Sequence, residues 1–127
     1  MKYLKLAAFS TFFFCNIASS SSIYDGIWLL DNVGYVSMHE KEGNLIAVVL
    51  DTEINDDGDY TWEAYWGPLA GNKLTLTTLI ANVAAEIVVT FESQTSLKWI
   101  LNACTPVAAD SDCDIPIGTE FSGQKIW

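Results

Sequence analysis

Few residues of this 127-residue chain are of a type that does chemistry. Acid–base or metal chemistry rests on one histidine, His39, in the run Met38-His39-Glu40-Lys41-Glu42. A general base or metal ligand there would take Glu40 or Glu42 as its partner. With no second histidine and no G-x-S-x-G elbow in the chain, the usual hydrolase and structural-zinc constellations stay incomplete. The pattern supports a solvated histidine where a strand runs into a turn.

Carboxylates are more numerous. Asp51, Glu53, Asp56, Asp57 and Asp59 surround Gly58, and with Gly58 at the sixth position of a calcium loop, Glu53, Asn55 and Asp57 fall at the first, third and fifth. The twelfth position is then Ala64, which supplies no bidentate carboxylate, and the flanks read as strands rather than helices. A solvated hairpin is the expectation. Glu63 facing Asp51 or Glu53 across neighbouring strands would resemble a glycosidase pair, but that chemistry needs a cleft with the carboxyl groups about 5 to 9 Å apart. A compact domain of this length rarely offers one. No enzymatic activity, catalytic residue, metal or cofactor is expected.

The aromatic residues are the richest candidates: Trp28, Tyr60, Trp62, Tyr65, Trp66, Phe91, Trp99, Phe121 and Trp127. Period-two alternation in Tyr60–Trp66 puts Tyr60, Trp62, Ala64 and Trp66 on one face and Thr61, Glu63 and Tyr65 on the other. The more apolar face is expected inside. Trp28, Trp62 and Trp99 are expected in the core, and Trp62, Trp66 and Trp99 are the candidates for lining an apolar or sugar-stacking pocket, with Tyr65 displayed beside Glu63.

The elements that must position these side chains are strands. From Tyr24 onward, apolar and β-branched segments alternate with short Gly/Asn/Asp clusters, and no 3.6-residue stripe interrupts them. Eight strands are predicted: Gly26–Asp31, Gly34–His39, Leu45–Glu53, Tyr60–Gly67, Lys73–Ile80, Glu86–Glu92, Ser96–Cys104 and Thr119–Trp127. Lys41-Glu42-Gly43-Asn44, Asn55-Asp56-Asp57-Gly58-Asp59 and Ala70-Gly71-Asn72 carry the residues of tight hairpins, and Gln94-Thr95 is a weaker turn. The segment Leu79–Glu86 fits either a helical turn or strands continued across a bend. Ile87, Val89 and Phe91 form one apolar face and Leu97, Trp99 and Leu101 another, whereas Leu45–Leu50 is apolar on both faces. That strand is either central or covered from outside. Consecutive hairpins in about 105 residues predict an all-β antiparallel up-and-down meander closing into a small barrel, with a two-sheet β-sandwich as the alternative.

Residues 1–20 read as a secretory signal peptide: Lys2 and Lys5, an uncharged run Leu6–Ala18 too short to span a bilayer, then Ala18 to Ser22 for cleavage after Ser20. Residues 21–127 are the single β domain. Cys15 leaves with the signal, and the remaining Cys104 and Cys113 are expected to form a disulfide in an oxidising compartment, periplasmic or extracellular. The chain has 16 acidic residues against six lysines and no arginine, for a formal charge of −10. Losing Lys2 and Lys5 takes it to −12. That balance excludes a nucleic-acid surface, and no transmembrane segment is expected after signal removal.

Gly26-Ile27-Trp28, Gly34, Gly43-Asn44-Leu45, Asp57-Gly58, Trp62, Gly67-Pro68-Leu69, Gly71, Phe91, Cys104-Thr105-Pro106-Val107, Cys113 and the closing Lys125-Ile126-Trp127 together resemble a family of small secreted bacterial β proteins of unknown function. That family opens on a G-x-W strand and carries a D-G-x-x-x-W hairpin and a late cysteine pair. The resemblance implies a fold and no chemistry. More remotely, Gly26-Ile27-Trp28 is similar to the first strand of lipocalin-like and avidin-like barrels, where the tryptophan plugs one end; the chain lacks a T-D-Y motif and an arginine to pack on Trp28. The function expected is non-catalytic binding of a small apolar, aromatic or sugar ligand inside a barrel. The alternative is an acidic interaction module or inhibitor docking a basic protein partner by charge complementarity.

Overall fold

A computed structural model describes residues 22–54, 60–81, 83–107 and 112–127. The proposed signal peptide and the acidic turn 55–59, with its calcium alternative, lie outside the described residues. The chain forms eight strands: β1 (Gly26–Leu30), β2 (Gly34–Lys41), β3 (Asn44–Ile54), β4 (Tyr60–Ala70), β5 (Lys73–Ile80), β6 (Val83–Phe91), β7 (Ser96–Pro106) and β8 (Glu120–Lys125). Each pairs antiparallel with the next, and β8 returns to β1, closing the barrel. The expected barrel is therefore the architecture, not the sandwich. Between β5 and β6 the strands run on to Ile80 and resume at Val83, with strand rather than helix on either side.

Turn chemistry accounts for the order. Glu42 and Gly43, with φ of 55° and 78°, form the two-residue connection between β2 and β3, the pair of positive φ values that a type I′ hairpin turn requires. Closure depends on the last residues. The Ile27 amide donates to the Trp127 carbonyl (2.8 Å), the Ile126 amide donates to the Ile27 carbonyl (2.8 Å), and Lys125 pairs with Trp28.

One row of side chains on β1 to β7 fills the interior: Trp28 and Leu30, Val36 and Met38, Leu45 and Ala47, Tyr65, Leu74 and Leu76, Ile87, Val89 and Phe91, and Leu97 and Trp99. Burying that row is the main term that offsets the entropy of ordering the chain. The two expected faces of β6 and β7 are both inside, as is Trp28. Tyr24 and Trp28 both pack on Phe91 at one end, with ring centroids 4.5 and 5.5 Å away, and the Trp28 indole N–H donates to the Tyr24 carbonyl (3.3 Å). This end is plugged. Lys125 supplies the cation over the Trp28 ring, its Nζ 5.6 Å from the centroid.

The face assignment of β4 is corrected. Trp62 and Trp66 are 54% and 45% exposed, whereas Tyr65 is buried at 4%. Register decides it: Leu45, Ala47 and Val49 of β3 point inward, so the inward partners on β4 are Glu63, Tyr65 and Gly67, and the outer row pairs Ile46 with Trp66 and Leu50 with Trp62. Gly67 shows why the rows do not exchange. A Cβ there would lie 2.0 Å from the Thr75 carbonyl oxygen, a closeness between β4 and β5 that no side chain tolerates.

Candidate functional site

At the end opposite the Tyr24–Trp28–Phe91 plug the barrel is open. The last residues of β1, β3, β5 and β7 lie at that end, and a cavity of about 660 Å³ descends between the strands. Its walls are apolar, including Val49, Ala85 and Leu101 from inside the barrel and Ile80, Val83 and Ile115 at the lip. Trp62 stands on the rim, and Asp112 and Asp114 flank the opening.

Two polar side chains enter from β4. The Tyr65 hydroxyl donates to Glu63 Oε2, and both residues line the cavity. Burial of the phenol pushes its pKa well above the usual tyrosine range, and the hydrogen bond to Glu63 and the carboxylate's charge push it further. Tyr65 is thus held as a neutral donor at any physiological pH, and Glu63 keeps lone pairs for a second donor. Behind Tyr65, Trp99 packs edge-on with ring centroids 6.1 Å apart, which holds the phenol in place.

The opposite wall is built by a bulge. Glu86 pairs with Ala103 and Ile87 with Leu101, so Asn102 is the extra residue on β7. The shift in alternation turns Cys104 back toward the interior beside Ala85. Cys104 and Cys113 form the expected disulfide, with Cα atoms 6.0 Å apart, and both line the cavity. The bridge ties the segment carrying Asp112, Asp114 and Ile115 to the barrel wall.

Of the four expected ligand-contacting aromatics, the cavity collects two. Tyr65 lines it and Trp62 borders it, Trp99 supports it from within the core, and Trp66 projects outside the barrel. Glu63, by sequence a glycosidase candidate, stands in the inward row of β4 and is, with Tyr65, one of the two polar side chains that enter the cavity from that strand. The side chains of its proposed partners Asp51 and Glu53 lie outside the described residues. His39 is solvent-exposed, its Nδ1 3.6 Å from Asp25 Oδ1, and is remote from the cavity lining. Among the described residues no three His, Cys, Asp or Glu side chains are grouped to hold a metal ion, and no helix is long and apolar enough to cross a membrane. Comparison with protein-family models, with curated proteins and with solved structures finds no match for the chain.

Proposed function

We propose that the protein is a non-catalytic, exported binding protein of the small secreted β-protein kind its motifs resemble, and that it takes a small ligand in the open mouth of the barrel. The observation that carries this reading is the 660 Å³ cavity, apolar in its walls and furnished with one hydrogen-bonded Tyr65–Glu63 pair. That is the composition of a small-molecule site: area for affinity and a few fixed polar groups for orientation. The ligand it suits has an apolar or aromatic body and one hydrogen-bond donor, a hydroxyl or an amine, to meet the Glu63 carboxylate. Sugar hydroxyls stacked against Trp62 satisfy the same geometry. Export is supported by the basic and apolar start of the chain and by the Cys104–Cys113 bridge, which is compatible with an oxidising compartment.

The test uses N-phenyl-1-naphthylamine, a neutral aromatic amine whose fluorescence rises on leaving water. It should bind the protein, and Ala85→Phe, which fills the cavity from β6, should abolish binding while leaving the melting temperature close to the parent's. Native mass spectrometry of the exported protein should retain an adduct of a few hundred daltons that the filled variant lacks. Failure of the parent to bind the probe together with the absence of any adduct, or equal binding by Ala85→Phe, would overturn the reading.

A further inference from the structure

The outside of the barrel is divided. On β5 to β8 the outward row is mixed, with Leu79, Val88 and Ile100 set among Thr75, Thr77, Glu86, Lys98, Asn102 and Glu120, and it is laced by Asn102 donating to Glu86 and by Lys98 Nζ 2.6 Å from Glu120 Oε1. On β1 to β4 the described outward row is Ile27, Leu29, Tyr35, Ser37, Ile46, Val48, Leu50, Trp62 and Trp66, with His39 and Lys41 of β2 bordering it toward the plugged end. Nearly all of these apolar side chains are more than a third exposed, and Ile126 of the C-terminus adjoins them. Exposures of 36 to 54% over these neighbouring large side chains make a contiguous, mainly apolar patch of the kind that marks an interaction site, on the scale of the ~800 Å² per partner of a standard interface.

The relief of this face limits what fits it. Ile27, Tyr35, Val48, Leu50 and Ile126 bound an apolar groove of about 390 Å³. Beside it, Trp62 and Trp66 stand up as a ridge, paired across strands with Leu50 and Ile46. A groove and a ridge side by side on one surface are complementary to the same surface turned through a two-fold axis, the condition for an isologous dimer. Because the barrel is closed, no strand edge is free for pairing, so a second copy must dock through these side chains.

We propose that the outer face of β1 to β4 is the interface of a two-fold homodimer in which Trp66 of each copy enters the groove between Ile27, Leu50 and Ile126 of the other, leaving Trp62 at the edge of the contact beside the mouth cavity. The acidic charge stays outside the contact. Two copies of formal charge −10 still repel at a distance, so added salt strengthens the dimer by screening, opposite to its effect on an acidic surface docked to a basic partner.

Sedimentation equilibrium of the purified protein between about 1 and 200 µM should show a monomer–dimer equilibrium that moves toward dimer from 50 to 500 mM NaCl. Trp66→Glu should weaken association at least ~30-fold, the loss expected of a central interface anchor. Leu50→Lys should do the same although it lowers the net negative charge, which separates loss of the apolar contact from added repulsion. Thr90→Glu, on the opposite side of the barrel between Lys73 and Lys98, should dimerise as the parent does. Neither Trp66 nor Leu50 lines the mouth cavity, so both variants should still bind the naphthylamine probe, which also reports that they are folded. A parent that is monomeric at 200 µM, with or without adsorption to phosphatidylcholine vesicles, overturns the proposal, as does undiminished dimerisation by either variant.

Discussion

Replacing Tyr65 with phenylalanine isolates the polar pair at the mouth of the barrel. The substitution keeps the ring that packs on Trp99 and removes only the hydroxyl that donates to Glu63. Near neutral pH the variant should be less stable by about 1 to 2 kcal/mol, the cost of one hydrogen bond to a carboxylate that retains some access to water. The pH dependence is the sharper test. In the unfolded chain the phenol titrates near 10, whereas in the folded protein burial, and then Glu63, hold its pKa well above that. Above pH 10 the unfolded chain releases a proton that the folded chain keeps, so the contribution of Tyr65 is complete below pH 10 and falls as pH rises. At pH 11 the parent should have lost about 1.4 kcal/mol through this one group; the phenylalanine variant has no such group and loses nothing by it. Alkaline effects common to both proteins cancel, including release of the Lys98 proton, which its ion pair with Glu120 holds to higher pH. Urea unfolding of both proteins at pH 8 and pH 11 should therefore show the stability gap nearly closing. A gap of the same size at both pH values would mean that the Tyr65 phenol titrates as it does in the unfolded chain, and the buried donor at the site would be refuted.

Deleting Lys125–Trp127 removes the Ile27–Trp127 and Ile126–Ile27 backbone hydrogen bonds, the Lys125 amide bond to the Thr95 carbonyl and the cation over Trp28. At roughly 1 kcal/mol per bond the melting temperature should fall by about 10 to 20 °C; an unchanged thermal transition followed by circular dichroism would show that the barrel does not depend on its last strand for closure. Glu42 occupies left-handed backbone at φ 55° before Gly43, a conformation asparagine adopts more readily, so Glu42→Asn should raise stability by about 0.5 to 1 kcal/mol in urea titrations. A loss of stability would mean that the Glu40 side chain, which accepts from the Gly43 amide at 2.9 Å, needs a glutamate beside it.

Strand positions and closure were legible because turn residues are local signals. Glu42-Gly43 and Gly71-Asn72 encode their hairpins within a few residues, and eight short strands in sequence favour a closed barrel over the two-sheet sandwich that stood as the alternative. The inside and outside of β4 were not legible. Alternation in Tyr60–Trp66 sorts the residues into two rows but does not say which row is buried, and choosing the more apolar row assumes that the exterior of a barrel is polar. That assumption fails most clearly on β4, where the inward row carries Glu63 and Tyr65 to the open mouth and the tryptophans face out. Two sequence signals pointed the right way. Gly67 shares a row with Tyr65 and Glu63, and only glycine fits where β4 comes within reach of the Thr75 carbonyl, so that row must face the crowded side. Leu45–Leu50, apolar on both faces, left two readings, a central strand or one covered from outside. Its outward residues Ile46 and Leu50 are the cross-strand partners of Trp66 and Trp62, so the doubly apolar strand and the misassigned tryptophans are two halves of one surface. The inward rows pack the plugged end of the barrel with Trp28 and Phe91 and leave the other end open, so the apolar outer row of β3 and β4 is not needed to fill the interior and is available for contact.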